Sequence, residues 1–127
     1  MDEHREMQEH MEVRQQKTAD AYATACHEKD EGTAAFKTKQ YAEAVACWGS
    51  ALRSVDMYRN TILQSEMAVL REALHNNRAM AQLQLKNYAA AEADCFDVIF
   101  LDPKNQKALF RRAQARVGRC NWPGCEP

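Results

Sequence analysis

Glycine and proline are scarce in this chain of 127 residues: there are four glycines and three prolines, and two of the prolines fall in the last five positions. That scarcity argues against a fold of short strands and tight turns. Ala, Leu, Met, Glu, Gln, Lys and Arg dominate nearly every window instead, so an all-α fold is predicted. No stretch approaches the roughly 20 apolar residues that a bilayer-spanning helix needs. The opening MDEHREM is too polar for a signal peptide, and a soluble protein of the cytoplasm, or of the cytoplasm and nucleus, is expected. Neither charge sign prevails, with 17 basic and 18 acidic side chains, so no global field steers the chain to nucleic acid or an anionic membrane. Recognition through charge has to be local.

Chemistry-bearing motifs are missing too. The five cysteines (Cys26, Cys47, Cys95, Cys120, Cys125) contain no Cys-x-x-Cys pair, which argues against a disulfide framework and a zinc site. Reduced thiols are expected, with Cys47 and Cys95 as small hydrophobes in apolar stripes and Cys120 and Cys125 in an exposed tail. His4, His10, His27 and His75 have no ligand-like spacing and are read as surface residues. No Gly-rich phosphate loop, nucleophile elbow or acidic pair stands out, so no catalytic residue, metal or cofactor is expected. The positive charges at Arg111, Arg112, Arg116 and Arg119 lack neighbouring aromatics for stacking bases, which argues against nucleic-acid binding.

What the chain does contain is an internal repeat. Tyr41-x-x-Ala44-x-x-x-Trp48-x-x-Ala51-Leu52 lies over Tyr88-x-x-Ala91-x-x-x-Cys95-x-x-Val98-Ile99 with a constant offset of 47 residues. Upstream in each block a small residue and a large apolar one keep step: Gly32 with Phe36, and Ala79 with Leu83. Each block therefore reads as a helical hairpin, in which the small residue lets the two helices approach and the aromatic that opens the second helix packs on the first. A third register starts 34 residues after the second, where Asn77-Arg78-Ala79 maps onto Arg111-Arg112-Ala113, and persists to Trp122.

These positions, with the hairpin exit Asp102-Pro103, resemble the tetratricopeptide repeat (TPR) over roughly residues 25–122. The resemblance implies a right-handed superhelical stack of about two and a half repeats. Unit one is placed at 25–56, a lengthened link at 57–71, unit two at 72–105, a partial unit three at 106–122 and a tail at 123–127. The surplus of 13 residues over the family period is placed between Ser54 and about Leu70 as extra helical turns. Residues 1–24 read as a helical extension with Met7, Met11, Thr18, Tyr22 and Ala25 at helical spacings; a self-associating coiled coil is the alternative, and two methionines make a poor seam. Because stacked hairpins need neighbours, the last helix is expected to leave Leu109, Phe110 and Ala113 partly uncovered. That feature reads as a shortened form, less stable than one carrying the following helix, with a weak dimer as one way to cover the gap.

In stacked repeats the first helices of successive hairpins line a concave groove. On those helices stand Lys29 and Thr33, then Asn77, then Lys107 and Arg111; spacings of four put each flanking pair on one face. The set resembles the two-carboxylate clamp of co-chaperone TPR domains, which holds the terminal Asp of a peptide, and it departs from that clamp in having Thr33 for an Asn. Phe36, Met80, Leu83 and Phe110 are assigned to receive an apolar side chain of the peptide, or alternatively to the hairpin core. The resemblance, closest in look to the repeats of large immunophilins, implies a cytosolic adaptor for the acidic Glu-Glu-Val-Asp-type tails of ninety- and seventy-kilodalton heat-shock chaperones. Two alternatives stay open: a structural scaffold with a vestigial clamp, and a piece of an immunophilin-type isomerase.

Overall fold

The computed structural model describes residues 2–58 and 63–120. Five helices follow one another: α1 (Asp2–Lys37), α2 (Tyr41–Met57), α3 (Gln64–Gln84), α4 (Tyr88–Leu101) and α5 (Gln106–Cys120), with no strand among the described residues. Each packs chiefly on the helix before and after it, and the further contacts, α1 with α3 and α3 with α5, join alternate helices along one side. This is an all-α, TPR-like stack of hairpins.

The first hairpin closes where the sequence supplies a residue without a side chain. A methyl placed on Gly32 would lie 2.7 Å from Cδ1 of Trp48, so the α1 backbone sits directly against the buried indole. Trp48 also meets Phe36 at a ring separation of 6.1 Å, and Phe36 meets Tyr41 edge to face at 5.1 Å. In the second hairpin Ala79 and Cys95 take the two places of Gly32 and Trp48, and both are fully buried. Between the hairpins, Leu52 and Val55 of α2 join Met67, Leu70 and Leu74 of α3 in one core. Gly118 of α5 repeats the close approach: a methyl there would stand 2.5 Å from Cδ1 of the Tyr88 ring of α4.

Both hairpin turns use one device. Lys39 and Lys86 stand at φ 64° and φ 63°, the left-handed conformation that ends a helix. Around Lys39 the amide of Gln40 donates to the carbonyl of Ala35 at 2.9 Å and that of Lys39 to Phe36 at 3.0 Å; around Lys86 the matching bonds run from Asn87 to Gln82 and from Lys86 to Leu83. The two lysines are 47 residues apart, the offset of the repeat itself.

The stretch read as an extension is continuous with the first hairpin, because α1 runs unbroken for 36 residues. The surplus between the repeats is divided between the last turn of α2 and the first turns of α3, and residues 59–62 lie outside the described residues. Trp122, Cys125 and the tail at 123–127 lie outside them too. At α5, Phe110 is 66% exposed and Ala113 is exposed, while Leu109 is half-buried.

Candidate peptide-binding groove

Helices α1, α3 and α5 line one side of the stack, where two hollows of about 500 Å³ each adjoin. The first lies between α1 and α3 and is bordered by Tyr22, Cys26 and Lys29; the second lies between α3 and α5 and is bordered by Asn76, Asn105 and Lys107. Val69 and Ala73 of α3 border both, so the hollows form one trough with a neutral, partly apolar floor. Lys29 stands on one wall of this trough and Lys107 on the other.

Thr33, Asn77 and Arg111 border neither hollow. Asn77 is half-buried on α3, next in sequence to Asn76. The hydroxyl of Thr33, which stands where the clamp has an Asn, donates to the carbonyl of Lys29 at 3.0 Å. A mid-helix threonine commonly satisfies itself this way on the residue four before it, which leaves the Thr33 hydroxyl no proton for a ligand. Arg111 donates through Nη1 to the carbonyl of Asn76 at 3.1 Å and through Nη2 to the sulfur of Met80 at 3.6 Å. Burial lowers the pKa of its guanidinium. A guanidinium carries five donors, so these two contacts leave others for a ligand.

The four residues assigned to a peptide side chain separate. Phe36 belongs to the first hairpin, against Tyr41 and Trp48. Met80 lies under Arg111, Leu83 is half-buried, and Phe110 stands in an exposed stripe of α5 with Ala113 and Val117.

Sequence reasoning missed two features of the trough. Asn76 is only 6% exposed, and its Oδ1 makes no hydrogen bond among the described residues. It borders the same hollow as Lys107, and a buried amide oxygen without a partner is costly unless something else supplies a donor. The second feature is negative charge: Asp30 and Glu66 border the hollow of Lys29, and Glu72, bonded to the Asn105 amide, borders that of Lys107. An acidic residue three before Thr33 and two more along one side of α3 were the available signals.

His75 corrects the expectation of surface histidines; His4, His10 and His27 are exposed, but His75 is buried. Its Nδ1 lies 2.9 Å from Oδ1 of Asp94, which is 3% exposed, and Arg78 grips the same carboxylate with Nε at 2.9 Å from Oδ2 and Nη2 at 2.6 Å from Oδ1. His75, Asp94 and Asp97 bring three metal-capable atoms within 4.8 Å of one another. The guanidinium already on both oxygens of Asp94 opposes a cation there, and the cluster acts as a polar lock between α3 and α4.

No protein-family model matches the chain. It is 37% identical over 89 residues to sperm-associated antigen 1 of Homo sapiens, covering 70% of this chain and 8% of that protein. It is 35% identical over 92 residues to peptidyl-prolyl cis-trans isomerase FKBP4 of Mus musculus, covering 70% of this chain and 20% of that protein. With mitochondrial import receptor subunit TOM70 of Homo sapiens it shares 33% identity over 97 residues, 76% of this chain and 15% of that protein. The chain thus spans a fifth or less of the length of these relatives. These relatives contain tetratricopeptide repeats, and the similarity over 70% or more of this chain, together with the stack of hairpins, supports a tetratricopeptide-repeat domain in the described residues.

Proposed function

We propose that the chain is a protein–protein interaction module whose trough binds the acidic C-terminal tail of cytosolic heat-shock chaperones, as a co-chaperone-like adaptor in the cytoplasm. The observation that carries this reading is the placement of Lys29 and Lys107 on facing walls of one trough, with Asn76 at its edge. A C-terminal Asp presents two carboxylates on one residue, a compact double charge that no internal residue duplicates, and two ammonium groups bind it through charge-assisted hydrogen bonds. Asn77 and Arg111 complete the set by resemblance to the two-carboxylate clamp. Asp30 and Glu66 beside Lys29 disfavour further acidic side chains at that wall, so the glutamates of the tail would run toward α5, where five basic residues stand. Nothing in this reading requires catalysis, and the match to the isomerase relative lies over its repeats rather than its isomerase domain.

The second reading is a scaffold with an idle clamp. Thr33 spends its proton on its own helix and Arg111 bonds to Asn76 and Met80, which favours a groove without a terminal carboxylate. Calorimetric titration with a peptide ending Met-Glu-Glu-Val-Asp, beside its amidated twin, separates the two. The clamp reading expects micromolar binding, about 8 kcal/mol, that amidation or Lys107→Ala removes. Equal binding of both peptides, or of neither, leaves the scaffold.

A further inference from the structure

Helices α4 and α5 carry exposed apolar side chains. On α4, Phe96 and Phe100 stack on each other while 63% and 76% exposed; on α5, Phe110 and Val117 are 66% and 59% exposed. Between the two helices lies a hollow of about 300 Å³, with Ala93 and Phe96 on one side and Arg112, Arg116 and Arg119 on the other. Glu92 bonds to Arg116 and Arg119 at its base and is the one carboxylate that borders it. α5 as a whole has five basic residues and no acidic one. Such a hollow suits a helix that combines an apolar stripe with carboxylates.

The chain contains such a helix. Residues 3–17 of α1 are all exposed, and the first residue of that helix to be buried is Thr18. Met7 and Met11, 64% and 56% exposed, extend toward the N-terminus the stripe that Thr18 and Ala25 bury further along. Glu3, Glu6, Glu9 and Glu12 surround them, and Arg5 is the single arginine or lysine among residues 3–13. Methionine is unbranched and polarizable, which suits an irregular hollow. The same molecule's α1 is engaged elsewhere: it packs along α2, touches α3 and makes no contact with α4 or α5.

We infer that a second copy of this chain lays residues 3–13 of its α1 into the groove between α4 and α5, seating Met7 and Met11 beside Ala93 and Phe96 and its glutamates beside the arginines. The contact is head to tail; two copies that exchange helices close it as a pair. Part of its strength is Coulombic between exposed groups, so it weakens with salt.

Sedimentation equilibrium of the 127-residue chain over a range of concentrations tests this. The expected result at low salt is a mass approaching two chains, falling to one at about 0.5 M salt, where the Debye length is roughly 4 Å. Met7→Gln with Met11→Gln, and separately Ala93→Gln with Phe96→Gln, are each expected to give one chain with helical circular dichroism unchanged, since all four positions are exposed. An equimolar mixture of the two variants regains a two-chain species, because each retains the surface that the other lacks. A single-chain mass at every concentration, a mixture that stays single, or an Ala93/Phe96 variant that still pairs through an α1–α1 seam overturns the inference. Peptide titration of the trough reads out separately from all of these.

Discussion

The indole Nε1 of Trp48 donates to the backbone carbonyl of Lys29 at 3.0 Å, joining the second helix of the first hairpin to the residue that forms one wall of the trough. The same oxygen accepts the hydroxyl of Thr33 at 3.0 Å. Trp48→Phe removes the indole donor and part of a fully packed ring. It is expected to destabilise the fold by about 2 kcal/mol, from one hydrogen bond and a small cavity. Urea unfolding measures the loss, and peptide affinity should fall in the same variant because Lys29 is no longer tied from behind.

Gly32→Ala is expected to destabilise although alanine is the better helix former by about 1 kcal/mol. The added methyl meets the Trp48 ring, and overpacking of this kind costs about 1–3 kcal/mol. The double variant Gly32→Ala with Trp48→Phe should lose less than the sum of the two single variants, as neighbours that share one space do.

Lys39→Gly and Lys86→Gly are expected to stabilise. Each lysine is held at positive φ, which costs a residue with a Cβ about 1 kcal/mol; after the larger chain entropy of glycine is subtracted, a few tenths of a kcal/mol remain per site. Thermal melting should show two small, additive rises, and no rise at either site would mean that the lysines rest there without strain.

Asp94→Ala leaves His75 buried and the Arg78 guanidinium without its carboxylate, and should cost about 3–5 kcal/mol. The loss should be read between α3 and α4 by hydrogen exchange, with α1 and α2 less affected.

Burial pushes the Cys95 thiol up to about 11. The folded chain therefore keeps a proton that the unfolded chain releases from about pH 8.5. Its contribution to stability is whole below that pH and is lost as the pH rises toward 11. Denaturant midpoints should fall over this alkaline window in the parent chain and less in Cys95→Ala. At neutral pH a thiol reagent should modify the exposed Cys120 long before Cys95.

Much of the hairpin order is legible in the sequence because it rests on apolar and small residues at regular intervals, as the pairs Gly32–Trp48 and Ala79–Cys95 show. The helix ends at Lys39 and Lys86 are not, since the usual signal for that backbone conformation is glycine or asparagine. The lock of His75, Arg78 and Asp94 joins residues 16 and 19 apart on different helices, and a polar residue inside the apolar run of α4 was its only trace. In the trough, the register finds the helices that carry Lys29 and Lys107. It gives no warning that Thr33 folds its proton back on its own helix, nor that Asn76 faces the hollow of Lys107 with an unpaired oxygen.

Because every helix leans chiefly on its neighbours in sequence, the chain resembles a row of books more than an arch with a keystone. Pulled from its two ends, it should give way leaf by leaf, from α5 inward and from the bare start of α1, and re-form in the reverse order without waiting for distant segments to meet. A ligand that bridges Lys29 and Lys107 would act as a strap across those leaves, turning a sequence of small yieldings into one larger one.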